Sequence, residues 1–324
     1  MTERNILKDW LGDVPLAAEL WWQLRQPGKP VTSEFSLEKL QNALPGWVEE
    51  VKASLTPSPS PKGRGGQKVL IFGTLRWWVE HAMLVGLGLA GLGHQVTLAY
   101  LPYALWQEPI NRFDLRRQNA YVGGVLRQAE PLVQVVSFLD GRLAGKAPLP
   151  DALEQAVALV SLRDTQYTLQ VEQVSTDSDL YRLRLERNRQ AARAAFGWLT
   201  RHRPDVIVLP NGTILEFGVL YQVARFLDIP VVTYEFGEQR QRIWLARNAE
   251  VMRQQTDDLW QARKDRPLTE QQQAQVRELF AARQRASLWE NFARRWQGAP
   301  SEGGARVRQA LNLDERPAVL LATN

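Results

Sequence analysis

Five short runs of apolar and β-branched residues, each separated from the next by a stretch long enough for a helix, constrain the fold more than any other feature. Residues 68–73 (KVLIFG), 95–100 (QVTLAY), 133–138 (VQVVSF), 205–209 (DVIVL) and 230–234 (PVVTY) are of strand length and nearly continuous in apolar character, which marks strands buried on both faces. Residues 77–92, 111–131, 151–174, 179–202 and 214–227 read as helical or irregular connections. Parallel neighbours need a crossover of a dozen or more residues, and these connections supply it. The prediction is an α/β fold: a Rossmann-like, doubly wound parallel sheet with helices on both faces.

Ahead of the sheet, Leu7, Trp10, Leu11 and Val14 fall at helical spacing, and Pro15 restarts a turn carrying Leu16, Leu20, Trp21 and Leu24. Ser36 is placed to cap a further helix through Leu37, Leu40 and Leu44, which Pro45 is expected to interrupt before Trp47, Val48 and Val51 resume the stripe. Residues 1–55 therefore read as a helical extension. Residues 56–67 (TPSPSPKGRGGQ) are too rich in Pro, Ser and Gly for helix or ladder and read as a flexible linker. Residues 68–315 form the predicted Rossmann-like domain with helical insertions, helical and charged from 241 to 296. Residues 316–324 (RPAVLLATN) read as the first strand of a second α/β domain, so the chain by itself is expected to be one half of a cleft and inactive.

Composition narrows the class. A hydrophobic fraction of 44% with 23% charged residues suits a globular protein with one or two cores, and the longest apolar run, residues 82–93, is about half the roughly 20 residues needed to span a bilayer. There is no cysteine, so disulfides, thiolate metal sites and thiol nucleophiles are excluded and a cytoplasmic location is the expectation. Only His81, His94 and His202 supply imidazoles. Between 181 and 203, Arg182, Arg184, Arg187, Arg189, Arg193, Arg201 and Arg203 face only Glu186: a solvated face, or a basic helix for peripheral contact with a membrane bearing phosphorylated lipid. No recognised module accompanies the charge, so nucleic acid is not an expected partner.

Two motif matches are misplaced for their usual chemistry. Residues 86–91 (GLGLAG) satisfy G-x-G-x-x-G but fall within a predicted helix and precede a strand, the reverse of the order that holds a pyrophosphate. Asp177, Ser178 and Asp179 form a D-x-D pair ahead of a helix, where Asp179 serves as a cap rather than a metal ligand. No metal is expected. The stronger candidates lie where strands end, because ligands of open α/β sheets gather outside the carboxyl ends of the strands. After the first strand, GTLRWWVEH offers Gly73 for a tight turn, Thr74, Arg76 as a cation, Trp77 as a stacking face, and Glu80 and His81 as candidate bases. His81 either takes a proton from a sugar hydroxyl or hydrogen-bonds at a helix start. Asn211, Gly212 and Thr213 cap the next helix or bind acceptor hydroxyls, and Glu235 and Glu238 form a polar-substrate loop or a salt-linked one.

The run KVLIFGTLRWWVEHAMLVGLGLAGLGHQVTLAY resembles the opening of the N-terminal domain of GT-B glycosyltransferases of the bacterial capsular-polysaccharide type. RPDVIVLPNG and VARFLDIPVVTYEFGE resemble its later strand pair, and RPAVLLATN the first strand of its donor-binding domain. The resemblance implies an acceptor-side lobe that works with a nucleotide-sugar donor as co-substrate, no other cofactor and no bound metal, on a glycan or lipid-linked acceptor. His81 matches the family's base loosely, lying further from the loop glycine than usual. Nonhydrolysing sugar-nucleotide epimerases share the strand and helix rhythm, and a non-catalytic scaffold that captures a partner through Trp21 and Trp22 is a third reading.

Overall fold

The structure, a computed structural model, describes residues 3–54, 66–144, 148–237, 242–284 and 303–317. Its sheet comprises β1 (Lys68–Thr74), β2 (Gln95–Leu101), β3 (Val133–Ser137), β4 (Val206–Pro210), β5 (Val231–Phe236) and β6 (Ile243–Arg247), in the spatial order β3-β2-β1-β4-β5-β6. The first five run parallel, with Val69 opposite both Val96 and Val206. The direction of winding reverses between β1 and β4, so the fold is the doubly wound α/β arrangement read from the sequence. β6 is an addition: residues 241–296 read as helical, whereas Ile243–Arg247 lies beside β5. Residues 237–242 are too few for a crossover, so the chain returns as an edge strand. Its successive apolar residues Ile243, Trp244 and Leu245 are all exposed, which is why no alternation announced a strand.

Alternate residues of β1 feed two cores. Val69 and Ile71 join one cluster with Leu40, Leu44, Val79, Met83 and Tyr121; Leu70 and Phe72 join the other with Val157, Ala191, Trp198, Phe217 and Leu220. The first face is covered by α3 (Glu38–Ser54), α4 (Arg76–Gly91) and α5 (Arg112–Leu126), with α1 (Glu3–Asp13) and α2 (Ala17–Arg25) packed on α5. The second is covered by α6 (Asp151–Leu169), α7 (Asp179–His202) and α8 (Leu215–Phe226).

The N-terminal helices belong to the same compact unit as the sheet, which takes in the described residues up to Glu235 together with Trp244–Gln255. Lys8 pairs with Asp114 at 2.7 Å, Arg116 pairs with Glu19 at 2.5 Å, and the Arg117 guanidinium lies 4.0 Å from the Trp21 ring centroid. Trp22 donates to the Lys29 carbonyl at 2.9 Å, so both tryptophans of the scaffold reading are engaged within the fold. Pro45 does not interrupt α3, which runs through it. A proline inside a helix costs about 3 kcal/mol, but Leu40, Leu44 and Val48 are buried on either side of it and each contributes about 1.5–3 kcal/mol, so packing wins. Asp179 is not the cap of α7: the Ser178 hydroxyl accepts from the Tyr181 N–H at 3.4 Å, and Asp179 opens the helix.

The second unit comprises the described residues of Phe236–Ile243 and those from Thr256 onward. Its described helices are α9 (Asp257–Arg263), α10 (Glu270–Gln284) and α11 (Gly303–Ala310), and nearly all of their side chains are exposed. Most of the predicted linker, and the apolar part of the predicted terminal strand, lie outside the described residues. No helix among the described residues is long and apolar enough to cross a membrane.

One glycine ties α8 to the turn before it. A Cβ on Gly218 would stand 2.5 Å from the Thr213 carbonyl oxygen and 2.9 Å from Val160, so Gly218→Ala is expected to lower stability by about 1–3 kcal/mol, read as a shift in a urea unfolding midpoint.

Candidate functional site

The carboxyl ends of β1, β4 and β5 meet at the reversal, and strained backbone shapes the turns there. Leu75 sits at φ 62° between β1 and α4; Asn211, Gly212 and Leu215 sit at φ 59°, 83° and 55° between β4 and α8. Such conformations cost on the order of 1–3 kcal/mol at non-glycine residues and persist where the surroundings fix them. The Leu75 side chain is anchored in the core beside α8. Asn211 Oδ1 accepts from the N–H groups of Thr213 at 2.9 Å and Ile214 at 3.3 Å, its own N–H donates to the Tyr234 carbonyl at 2.8 Å, and its amide donates to Glu235 Oε2 at 3.3 Å. Gly212 is required twice over, by its φ and because a Cβ would meet Thr233 Cγ2 at 2.7 Å.

These turns border a cavity of about 260 Å³. Its walls are Trp77, Trp78, Trp106, Tyr167 and Phe217 with Leu75, Ile214 and Leu215; its polar groups are Asp164, Thr168, Asn211 and Glu235. No lysine or arginine is among the described residues that line it.

Asp164 is fully buried at the wall of this cavity. Its Oδ2 accepts from Arg184 Nε at 2.5 Å; Arg184, also fully buried, donates through Nη2 to Glu216 Oε1 at 2.9 Å and through Nη1 to the Trp106 carbonyl at 3.3 Å. Asp164 Oδ1 is buried and accepts no hydrogen bond of normal geometry, and the hydroxyls of Thr168 and Thr213 are likewise buried without a partner. Burial pushes the Asp164 carboxyl up to about 6; the Arg184 cation opposes this, Glu216 adds to it, and the Leu215 N–H dipole opposes it weakly.

Neither candidate base lines the cavity. His81 Nδ1 lies 3.0 Å from the Tyr234 hydroxyl, and its ring stands edge-on to Trp78 with centroids 6.2 Å apart. Burial holds the imidazole below its usual pKa, while burial and then Glu235 push the Tyr234 phenol well up. The pair therefore stays neutral near pH 7. Glu80 is raised by burial and drawn back by Arg76 and Lys39. Of the residues read from the sequence, the structure brings Trp77, Asn211 and Glu235 to the cavity. Thr74 is buried, and Arg76 is half-buried with its Nε buried and unpaired. Gly73 serves packing, since a Cβ there would stand 3.0 Å from Val79 Cα. Gly212 and Thr213 build the turn, and Glu238 lies outside the described residues.

The basic stretch is not one charged face. Arg184 and Arg187 point inward: Arg187 donates to the Leu105 carbonyl at 2.8 Å and lies 4.3 Å from the Tyr103 ring centroid. Arg189 pairs with Glu154 at 2.8 Å and Arg182 with Asp177 at 3.1 Å. Asp164, Arg184 and Glu216 went unread in the sequence. Their signal was a polar residue at a core position, since Asp164 falls at helical spacing with buried Val157, Val160 and Ser161. The glycine motif behaves as its context implied: residues 86–91 lie within α4, and Gly86 faces Ile71, Val96 and Val133. No group of three or more potential ligands among the described residues is arranged to hold a metal ion.

No known protein family, curated protein or solved structure matches this chain. What is established is therefore a doubly wound α/β protein with an aromatic, carboxylate-bearing cavity at its topological switch.

Removing Arg184 leaves two buried carboxylates facing each other, so Arg184→Met is expected to cost about 3–5 kcal/mol at neutral pH. Because the Asp164 carboxyl is raised in the folded state, its contribution to stability is fully present below its unfolded pKa and is lost as pH rises through about 6. Without the Arg184 cation, which draws the Asp164 carboxyl down, the variant's carboxyl is raised further and its loss over the same range is larger. The deficit is therefore smallest near pH 4 and widens toward pH 8, measured as unfolding midpoints across that range.

Proposed function

We propose that this chain is the acceptor-side lobe of a glycosyltransferase, holding a glycan or lipid-linked saccharide to which a nucleotide-sugar donor delivers its sugar. The observation that carries the reading is the cavity at the switch point, whose aromatic faces and oxygen-bearing groups come with no lysine or arginine among the described lining residues. Sugar rings offer apolar C–H faces that stack on indoles and hydroxyl groups that donate to buried oxygens otherwise left at a cost of about 1–3 kcal/mol each. A diphosphate asks for the opposite, cations or converging N–H groups. The donor's phosphates are therefore held outside this cavity, and an epimerase, whose nucleotide must enter it, fits less well.

In this reading Asp164 and Glu235 are the groups that face the polar substituents of the acceptor. His81 holds Tyr234 behind Trp78 and is a positioning residue. A cytoplasmic, membrane-peripheral setting accompanies a lipid-linked acceptor, with Arg182 and Arg193 on the outer face of α7.

Tryptophan fluorescence titrated with a panel of oligosaccharides tests the reading. A saturable change is expected for at least one, and Trp77→Ala, which removes a half-exposed stacking face, should weaken it by about 2- to 12-fold, the worth of one stacked ring at about 0.5–1.5 kcal/mol. Absence of saturable binding by every saccharide of the panel overturns it.

A further inference from the structure

We propose that the cavity selects a saccharide carrying a free, protonated amino group, and that Asp164 Oδ1 is the atom that reads it. The sugar part of this statement rests on the function proposed above; the amino group rests on the arrangement around Asp164.

Asp164 lines the cavity and is wholly buried, with one oxygen committed to Arg184 and the other buried without a hydrogen bond of normal geometry, the Leu215 N–H being the neighbouring backbone donor to this carboxyl. The hydroxyl of Thr168, four residues on in α6, is also buried, unbonded and on the same wall. A carboxylate oxygen only accepts, so the group that completes it must donate. An ammonium does so with three protons, enough for Oδ1 and the Thr168 hydroxyl together. The rest of the lining favours a cation: indole faces attract positive charge, and a second carboxylate, Glu235, lies on the same cavity.

The nearby cations do not compete for this oxygen. Arg184 is used by Asp164 Oδ2, Glu216 and the Trp106 carbonyl, and Arg187 by the carbonyls of Leu105, Trp106 and Glu108; neither lines the cavity. A hydroxyl in place of the ammonium offers a neutral hydrogen bond of roughly half the strength. An N-acetyl group removes the charge and adds bulk.

Calorimetric titration of the full chain at pH 7 with glucosamine oligomers, their N-acetylated counterparts and glucose oligomers tests the assignment. The amino form is expected to bind at least about tenfold more tightly than either neutral form, the difference between a charged and a neutral hydrogen bond. Asp164→Asn should bring the amino form level with the glucose oligomer while Trp77→Ala weakens all of them together. The wild-type preference should also fade as pH falls from 7 to 5, through the value of about 6 at which Asp164 takes up a proton, with circular dichroism confirming the fold at each pH. That pH series stands in for the variant if Asp164→Asn does not fold. Equal affinity for amino and glucose oligomers overturns the amino-group inference and leaves the sugar reading intact. Binding of tetramethylammonium with no saccharide bound overturns the sugar reading and keeps a cation site at the aromatic walls. No binding of any of these leaves ordered water as the partner of Oδ1 and overturns both.

Discussion

Burial of β1 on both faces is the constraint from which the rest of this molecule follows. A strand reading KVLIFGT, exposed only at its first residue, needs apolar cover above and below, and a parallel sheet obtains it only by sending successive crossovers to opposite faces. Winding toward β3 lays α4 and α5 on the Val69 and Ile71 side; winding toward β5 lays α6 to α8 on the Leu70 and Phe72 side. Where the two directions part, no crossover covers the strand ends. The cavity stands at that gap, a by-product of sheet coverage that turns furnished by Leu75, Asn211 and Gly212 then shape.

The gap lies above a buried charge cluster, which the packing alone does not call for. Arg184 is placed in a helix whose neighbouring core positions are Tyr181, Ala191 and Ala195, and a hydrophobic residue of similar volume would commonly serve stability as well or better. Retaining a guanidinium obliges the fold to supply two carboxylates, Asp164 from α6 and Glu216 from α8. The return is rigidity across three helices that share no strand. The cluster also fixes one Asp164 oxygen on Arg184, which holds the carboxylate of this cavity-lining residue in place. A carboxylate positioned in that way loses little further freedom when a ligand meets it.

The sheet was legible because its strands are apolar runs bounded by turn residues, and five of the six were read to within two residues from that pattern. β6 was not, because an exposed edge strand has no buried face to impose a period. α3 was misread at Pro45 because a local rule about one hydrogen bond was set against packing that the sequence does not display by itself. The site was half legible. Trp77, Asn211 and Glu235 follow strands, and position after a strand is a topological fact visible in sequence. Asp164 and Arg184 lie inside helices, separated by the length of a turn and a helix, and their meeting depends on how α6 and α7 pack. An arginine in a run of arginines reads as surface; only the core partners at its own helical spacing, Tyr181, Asn188 and Ala191, say otherwise.

Charge placement carries the final step. A cavity at the end of parallel strands is the usual place for a phosphate, because helix N-termini converge there with their N–H groups. Here the Asn211 side chain accepts from the Thr213 and Ile214 N–H groups in the turn before α8, while the first turns of α4 and α8 have no side-chain cap. The carboxylates of Asp164 and Glu235 oppose an anion at those dipoles, Asp164 with its charge shared by Arg184. In the proposed reading the cavity keeps the location of a nucleotide pocket and takes a neutral or cationic ring in place of a phosphate.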